Sequence, residues 1–450
     1  MNNHEFCKAI KEKFTKAEIP TFFITSDDWL ITKALVFANY RSKRNDIISM
    51  LKALGDEGIV VQDFKYTPDG YIKLTRHVFK TVSDNDKIQL TILKNHPKTI
   101  ILINFYLMAH MNSLKCLFSK TANLINIYTS EFTDQTIIQT LKQIIDKRCI
   151  HYKIRPTCLR KCIIRPKTGW CTCAIITANP EDELPFEKTI RHEKLVRDII
   201  ATVENPTSEV PITLFTCTPN LKAHLHEITL KIDEQNFVTF EVKPIICKEI
   251  KNLPQKLEKK KNLKIPVIAL FRNLSFILIP KNDKSPYEFL QSWNGIYGTD
   301  LYLNFDKEKP TFGENAFKSY GTKSNGLVYG FSIYFCTKIN FRFLDITKIM
   351  ASSPEKLQIF SEHFKITKDA ENPVLFEIID HERKEKFATP AFFMALMFKE
   401  HLKAIKNEIG RKPKEIGIVF FDEYDVGGYD RVQTQISEAC NTLKIECQFV

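Results

Sequence analysis

The sequence predicts an α/β protein with an all-β domain set into its middle, and three observations predict it. Residues 1–150 alternate helical and strand-like stretches. Between 155 and 245 short β-like runs recur at turn-like spacing. Beyond 263 two apolar strands open a segment rich in helices that closes with another strand and helix. Alternating periods of 3.6 and 2 signal α/β layers, and evenly spaced strands with turns signal a sandwich.

In the first region Phe6, Ile10 and Phe14 recur every fourth position, which predicts a helix over Glu5–Lys16. Asp27 or Asp28 caps a second helix that runs through Leu30, Leu35 and Ala38 to Arg41. Ile59–Phe64 reads as a strand. Thr99–Ile103 is a continuous apolar run, as expected of a buried parallel strand. Thr133–Ile145 is an amphipathic helix with Asp134 in its first turn.

In the middle region strands are expected at Cys162–Arg165, Trp170–Thr177, Ile212–Cys217, Glu227–Asp233 and Phe237–Lys243. The last two form a hairpin through Asp233-Glu-Gln-Asn236. Residues 247–262 are polar and rich in Lys and read as a solvated linker. Ile265–Phe271 and Phe276–Pro280 are paired strands separated by Arg272-Asn273. A strand at Glu415–Phe421 and a helix near Arg431–Leu443 end the chain.

Composition narrows the function classes. Hydrophobic residues make up 44% of the 450, enough for a sizeable core. The net charge of +12 permits attraction to anionic surfaces, but the basic residues are dispersed. The single dense run, Lys256, Lys259, Lys260, Lys261 and Lys264, reads as hydrated rather than as a nucleic-acid patch. The apolar run Thr99–Met111 contains Asn104 and His110 and is too short to span a bilayer. Twelve Cys without regular spacing suit free thiols in a reducing compartment, so a cytoplasmic location without membrane contact is expected.

The residues also carry a family resemblance. Ile265–Gly313 (IPVIALFRNLSFILIPKND…LYLNFDKEKPTFG) and Lys386–Ile445 resemble lobe I of the heat shock protein 70 ATPase domain. The helix with Leu35, Ala38, Arg41, Lys43 and Arg44 resembles the family's adenine-side helix, and Phe64–Phe79 (FKYTPDGYIKLTRHVF) resembles a further segment of lobe II. Thr218–Val242 (TPNLKAHLHEITLKIDEQNFVTFEV) is similar to a hairpin of that family's substrate-binding sandwich. The resemblance implies actin-like (ribonuclease-H-like) ATPase half-domains flanking a β-sandwich. Its order here is lobe II at 1–152, sandwich at 153–246, basic linker at 247–262 and lobe I at 263–450.

The resemblance implies lost chemistry as well. The family's Asp-Leu-Gly-Thr-Thr phosphate turn corresponds to Lys260-Lys-Asn-Leu-Lys264, a cationic stretch where a metal-facing carboxylate belongs. The catalytic Lys position, within Asn325–Tyr334, is Ser332. The Gly-Gly after the lobe II strand is Asn104-Phe105, and Tyr40 and Ile47 replace the Glu and Ser of the adenine-side helix. The second phosphate loop has no counterpart, so lobe II is expected to lack its first strands. Lys43, Arg44 and Asp134 remain as residual cofactor-binding candidates on the adenine side of an ATP/Mg site, with no catalytic and no metal residue assigned.

Other constellations read as structural. Cys158, Cys162, Cys171 and Cys173 have the wrong pairing for a zinc knuckle and suit buried thiols. Asp422, Glu423 and Asp425 follow an apolar strand and read as a solvated turn, and His224-x-His226 reads as exposed alternation in a strand. The expected function is binding of unfolded polypeptide or a co-chaperone without efficient ATP hydrolysis. The alternatives are a weak ATP-binding chaperone completed by oligomerisation and a basic scaffold for nucleic acid.

Overall fold

The computed structural model describes residues 3–450 except 54–57, 80–84, 106–114, 117, 119–122, 147, 168–173, 196, 205–210, 261–262, 281–284, 306, 320–326, 329–345, 354–365, 370–371, 373, 380–381 and 383. It is a mixed α/β protein with several sheets. The Trp170–Thr177 expectation falls largely outside the described residues, which hold a strand at Ile176–Ala178. Ser332 also lies outside them.

Helix α1 (Asn3–Lys16) and helix α2 (Ser26–Phe37) precede the first sheet. The N-cap of α2 is Thr25, whose hydroxyl accepts from the Asp28 amide; Asp27 and Asp28 sit in the first turn, where the helix dipole favours anions. The helix ends before Lys43, Arg44 and Ile47, which were expected on it. Asn39 and Asn45 adopt left-handed backbone, and Ile47 begins a strand.

That strand, β1 (Ile47–Ala53), is the centre of the first sheet. Around it lie β2 (Ile59–Thr67), β3 (Gly70–Phe79), β4 (Thr99–Asn104) and β5 (Asn123–Tyr128), in the order β3-β2-β1-β4-β5. The first three form an antiparallel meander, and β4 and β5 join parallel to β1. The expectation that this sheet lacks its first strands is therefore corrected. One face packs on α2, with Leu35, Met50, Phe64 and Ile101 at its core. The other packs on helix α3 (Asn85–Leu93) through Ile88, Ile92, Leu51 and Ile100.

Gly70 makes the β2–β3 turn with φ +115, and a Cβ there would lie 2.5 Å from the Lys153 carbonyl oxygen. The close approach lets the Tyr71 amide donate to that oxygen and the Arg155 amide donate to the Tyr71 carbonyl. The chain is thus pinned to the first sheet where it enters the middle region.

The middle region has two sheets. One runs β10-β9-β6-β7 and the other β12-β11-β8. These are β6 (Lys161–Pro166), β7 (Ile176–Ala178), β8 (Phe186–Glu193), β9 (Ile199–Glu204), β10 (Ile212–Cys217), β11 (Leu225–Ile232) and β12 (Val238–Ile245). Ile164, Ala201, Ile228 and Leu230 share the core between them. The Asp233–Asn236 turn closes the β11–β12 hairpin, with Asn236 in left-handed backbone.

His224 and His226 are fully buried, which corrects the expectation of exposed alternation. Each ring uses both nitrogens. His224 Nδ1 accepts from the Cys247 amide and Nε2 faces the Ile296 carbonyl at 2.6 Å. His226 Nδ1 accepts from the Leu195 amide and Nε2 faces the Asn220 carbonyl. Burial pushes both imidazoles below their ordinary pKa. With the buried Lys194–Asp300 ion pair at 3.2 Å, His224 ties the middle region to the last.

The segment expected to be a solvated linker is instead packed. Lys248–Lys251 and Leu253–Glu258 are short helices, and Ile250, Leu253 and Leu257 are buried. Their apolar residues cover one face of the second sheet, against Val267, Ala269, Phe276 and Leu278. The lysines occupy the outer positions, so the polar composition is that of a helix surface.

The second large sheet has six strands: β13 (Val267–Phe271), β14 (Leu274–Pro280), β15 (Tyr287–Phe289), the two-residue strand Thr299–Asp300, which pairs with β14 off the main path, and the strands Glu415–Phe420 and Glu446–Phe449. Its main path again places the third, second and first strands before the fourth and fifth. The meander is antiparallel and the last two strands are parallel to the first. The helices Pro390–Ile409 and Val426–Thr442 cover its other face through Phe393, Phe398, Val432 and Ile436.

Candidate functional site

A cleft of about 820 Å³ lies between the first sheet and the open end of the sandwich. That volume is within the range of ligand sites. Its apolar wall is the edge of the sandwich core, where the largely buried Cys158, Cys162, Val203, Ile232 and Val238 line the cleft. Phe22, Phe23 and Ile24 close a further side. Phe23 meets Phe237 edge-on at 5.1 Å, and Lys11 of α1 sits 4.1 Å over the Phe237 ring while pairing with Asp233 at 2.9 Å.

The polar wall comes from the first sheet and the start of α2. Asp28 pairs with Lys73 of β3 at 2.7 Å, and both side chains are at most one-tenth exposed. Asp27 pairs with the buried Lys52 of β1 at 2.9 Å. Gln62 of β2 also lines the cleft; it is 3% exposed, and its Oε1 has no hydrogen-bond partner. Gln62 and Arg76, another lining residue, are directly opposed across the β2–β3 pair. Directly opposed residues on neighbouring strands project to one face. The cleft thus combines an apolar floor, paired charges and two buried carboxamide oxygens without a partner, those of Gln62 and, across the cleft on the sandwich hairpin, Gln235.

The structure places the sequence-predicted candidates elsewhere. Lys43, Arg44 and Asp134 are all exposed and none lines the cleft. The Lys43 amide donates to Asp46 in a turn before β1, and Asp134 opens the helix Asp134–Ile145 behind the Thr133 cap. No described hydrogen bond or ion pair brings Asp134 to either base. Asn104 is buried at the end of β4, where its amide donates to Asn126 and to the Ile127 carbonyl.

The acidic turn after the strand Glu415–Phe420 differs from the expected solvated one. Asp422 is buried and accepts from the Arg272 amide at 2.6 Å. Arg272 sits in left-handed backbone in the two-residue turn between β13 and β14. Burial pushes the Asp422 carboxyl above its ordinary pKa against the pull of that amide, Lys348 and Arg272. Asp425 caps the helix Val426–Thr442 by accepting from the Gly428 amide at 2.6 Å.

Cys158 and Cys162 are buried free thiols, pushed up to about 11 and about 12, chiefly by burial. Such thiols are poor nucleophiles and poor ligands at neutral pH. Cys171 and Cys173 lie outside the described residues. Among the described residues no group of His, Cys, Asp and Glu has metal-binding geometry, and no helix is long and apolar enough to cross a membrane. No protein-family model matches this chain, and no curated protein matches it.

Proposed function

We propose that the chain is a degenerate relative of the heat shock protein 70 chaperones that binds polypeptide without efficient ATP hydrolysis. The repeated strand order supports the fold part of this reading. Two sheets, each a three-strand meander extended by two parallel strands, are what two ribonuclease-H-like half-domains of an actin-like protein require. The two-sheet middle region stands between them, as the sandwich does in the resemblance.

One observation carries the functional part: the cleft where the sandwich core opens against the first sheet. Apolar side chains of an extended chain fit such a floor, and its backbone fits a polar wall.

The test is binding of a fluorophore-labelled Leu- and Val-rich peptide, run beside a magnesium–ATP turnover assay. The proposal expects saturable peptide binding that ATP does not alter, and no turnover above the buffer rate. Absence of peptide binding, or magnesium-dependent turnover by the purified chain, would contradict it.

A further inference from the structure

We propose that Gln62 is the backbone-reading residue of the cleft: its side-chain carbonyl accepts an amide N–H from an extended polypeptide whose neighbouring apolar side chain enters the open end of the sandwich. This rests on the polypeptide-binding reading above. It adds the atom that recognises the ligand and the chemical group recognised.

The argument starts from satisfaction. Buried polar atoms in folded proteins nearly always have a partner. Gln62 is 3% exposed in a strand otherwise packed with Ile59, Val60, Val61 and Phe64, yet its Oε1 has none. Such an atom is expected where a ligand supplies the missing donor.

The surroundings then select the donor. Asp27 and Asp28 are paired with Lys52 and Lys73, and the other charged lining residues are of both signs, so the wall is not a uniform field for an anion or a cation. A neutral N–H is the group that a carboxamide oxygen accepts without a charge mismatch. Arg76, opposite Gln62 on β3, supplies donors for the adjacent peptide carbonyl. Gln62 and Arg76 therefore match the two sides of one peptide group. The thiols and aliphatic groups of the sandwich opening offer only apolar contact, which suits the side chain next to that group.

Gln62→Leu keeps the volume and removes the acceptor. The expected result is about tenfold weaker binding of the Leu- and Val-rich peptide, with a melting temperature equal to or above that of the wild type. A second measurement replaces each peptide N–H in turn by an ester oxygen. One position should lose about tenfold on the wild type and nothing on Q62L. Equal peptide affinity for the two proteins would overturn the role of Gln62 and leave the polypeptide reading standing. A lowered melting temperature in Q62L would also overturn it, because the residue would then be structural. Failure of the wild-type chain to bind any apolar peptide would overturn both.

Discussion

The two large sheets share one order along their five main strands and differ in what they bury. The central strand of the second is apolar on both faces: Val267, Ile268, Ala269 and Leu270 are all fully buried, between the helices Lys248–Glu258 and Pro390–Ile409, and the one polar side chain buried on the neighbouring β14, Ser275, accepts from Trp293. The central strand of the first sheet, β1, buries Ser49 and Lys52 among its apolar residues, and its neighbour β2 buries Gln62 and Asp63. Ser49, Thr75 and Asn95 all donate to Asp63, so that network is closed. Gln62 is the member left open. The same topology thus serves as packed support in one half and as the wall of a cleft in the other, and the difference lies in a few polar residues on two strands.

Perturbing each part sharpens the contrast. Lys194→Met strands the buried Asp300 carboxylate at the join of the sandwich and the second half, and should cost about 3–5 kcal/mol in chemical denaturation. Adding Asp300→Leu should restore most of the loss, since a paired apolar replacement is near neutral. In the second sheet Ile268→Ala should cost about 2–5 kcal/mol, as removal of a fully buried aliphatic side chain does.

Acid should strike the second half as well. Burial holds His401 down to about 4, and Trp293 lies 4.4 Å from its ring. The unfolded chain binds a proton near the ordinary pKa of 6.5 while the folded one does not. Stability therefore falls as pH drops from about 6.5 towards 4, and is unaffected by this group above that window. The loss at pH 4 is on the order of 3 kcal/mol for this imidazole. His401→Phe should flatten the acid limb of a plot of melting temperature against pH, and an unchanged limb would remove His401 from the account.

The smallest effect has the opposite sign. Gln62→Leu should raise stability by about 1 kcal/mol, because it removes an unpaired buried acceptor from the first sheet. A loss of similar size would make the two sheets alike.

The sequence made the second sheet's opening hairpin legible, since Ile265–Phe271 and Phe276–Pro280 are unbroken apolar runs around a tight turn. Thr99–Ile103 was readable for the same reason. The strand Ile47–Ala53 was not, because Ser49 and Lys52 interrupt its pattern and find their partners, Asp63 and Asp27, only in three dimensions. The helices at 248–258 hid behind their lysines, with Ile250, Leu253 and Leu257 as the faint apolar stripe. His224 and His226 follow strand alternation, but the face they take is set by the neighbouring backbone, which spacing does not reveal. Gln62 carried one signal: the pair Gln62-Asp63 inside an otherwise apolar strand is costly unless both side chains are used.

The most direct test of the division of labour is a photo-crosslinking map of a bound Leu- and Val-rich peptide on the intact chain, read by mass spectrometry. The account predicts adducts on β2, β3 and the 156–160 segment of the cleft, and none on the Arg272–Asn273 turn or the Asp422 region. Adducts concentrated at that turn, with the cleft unlabelled, would contradict it.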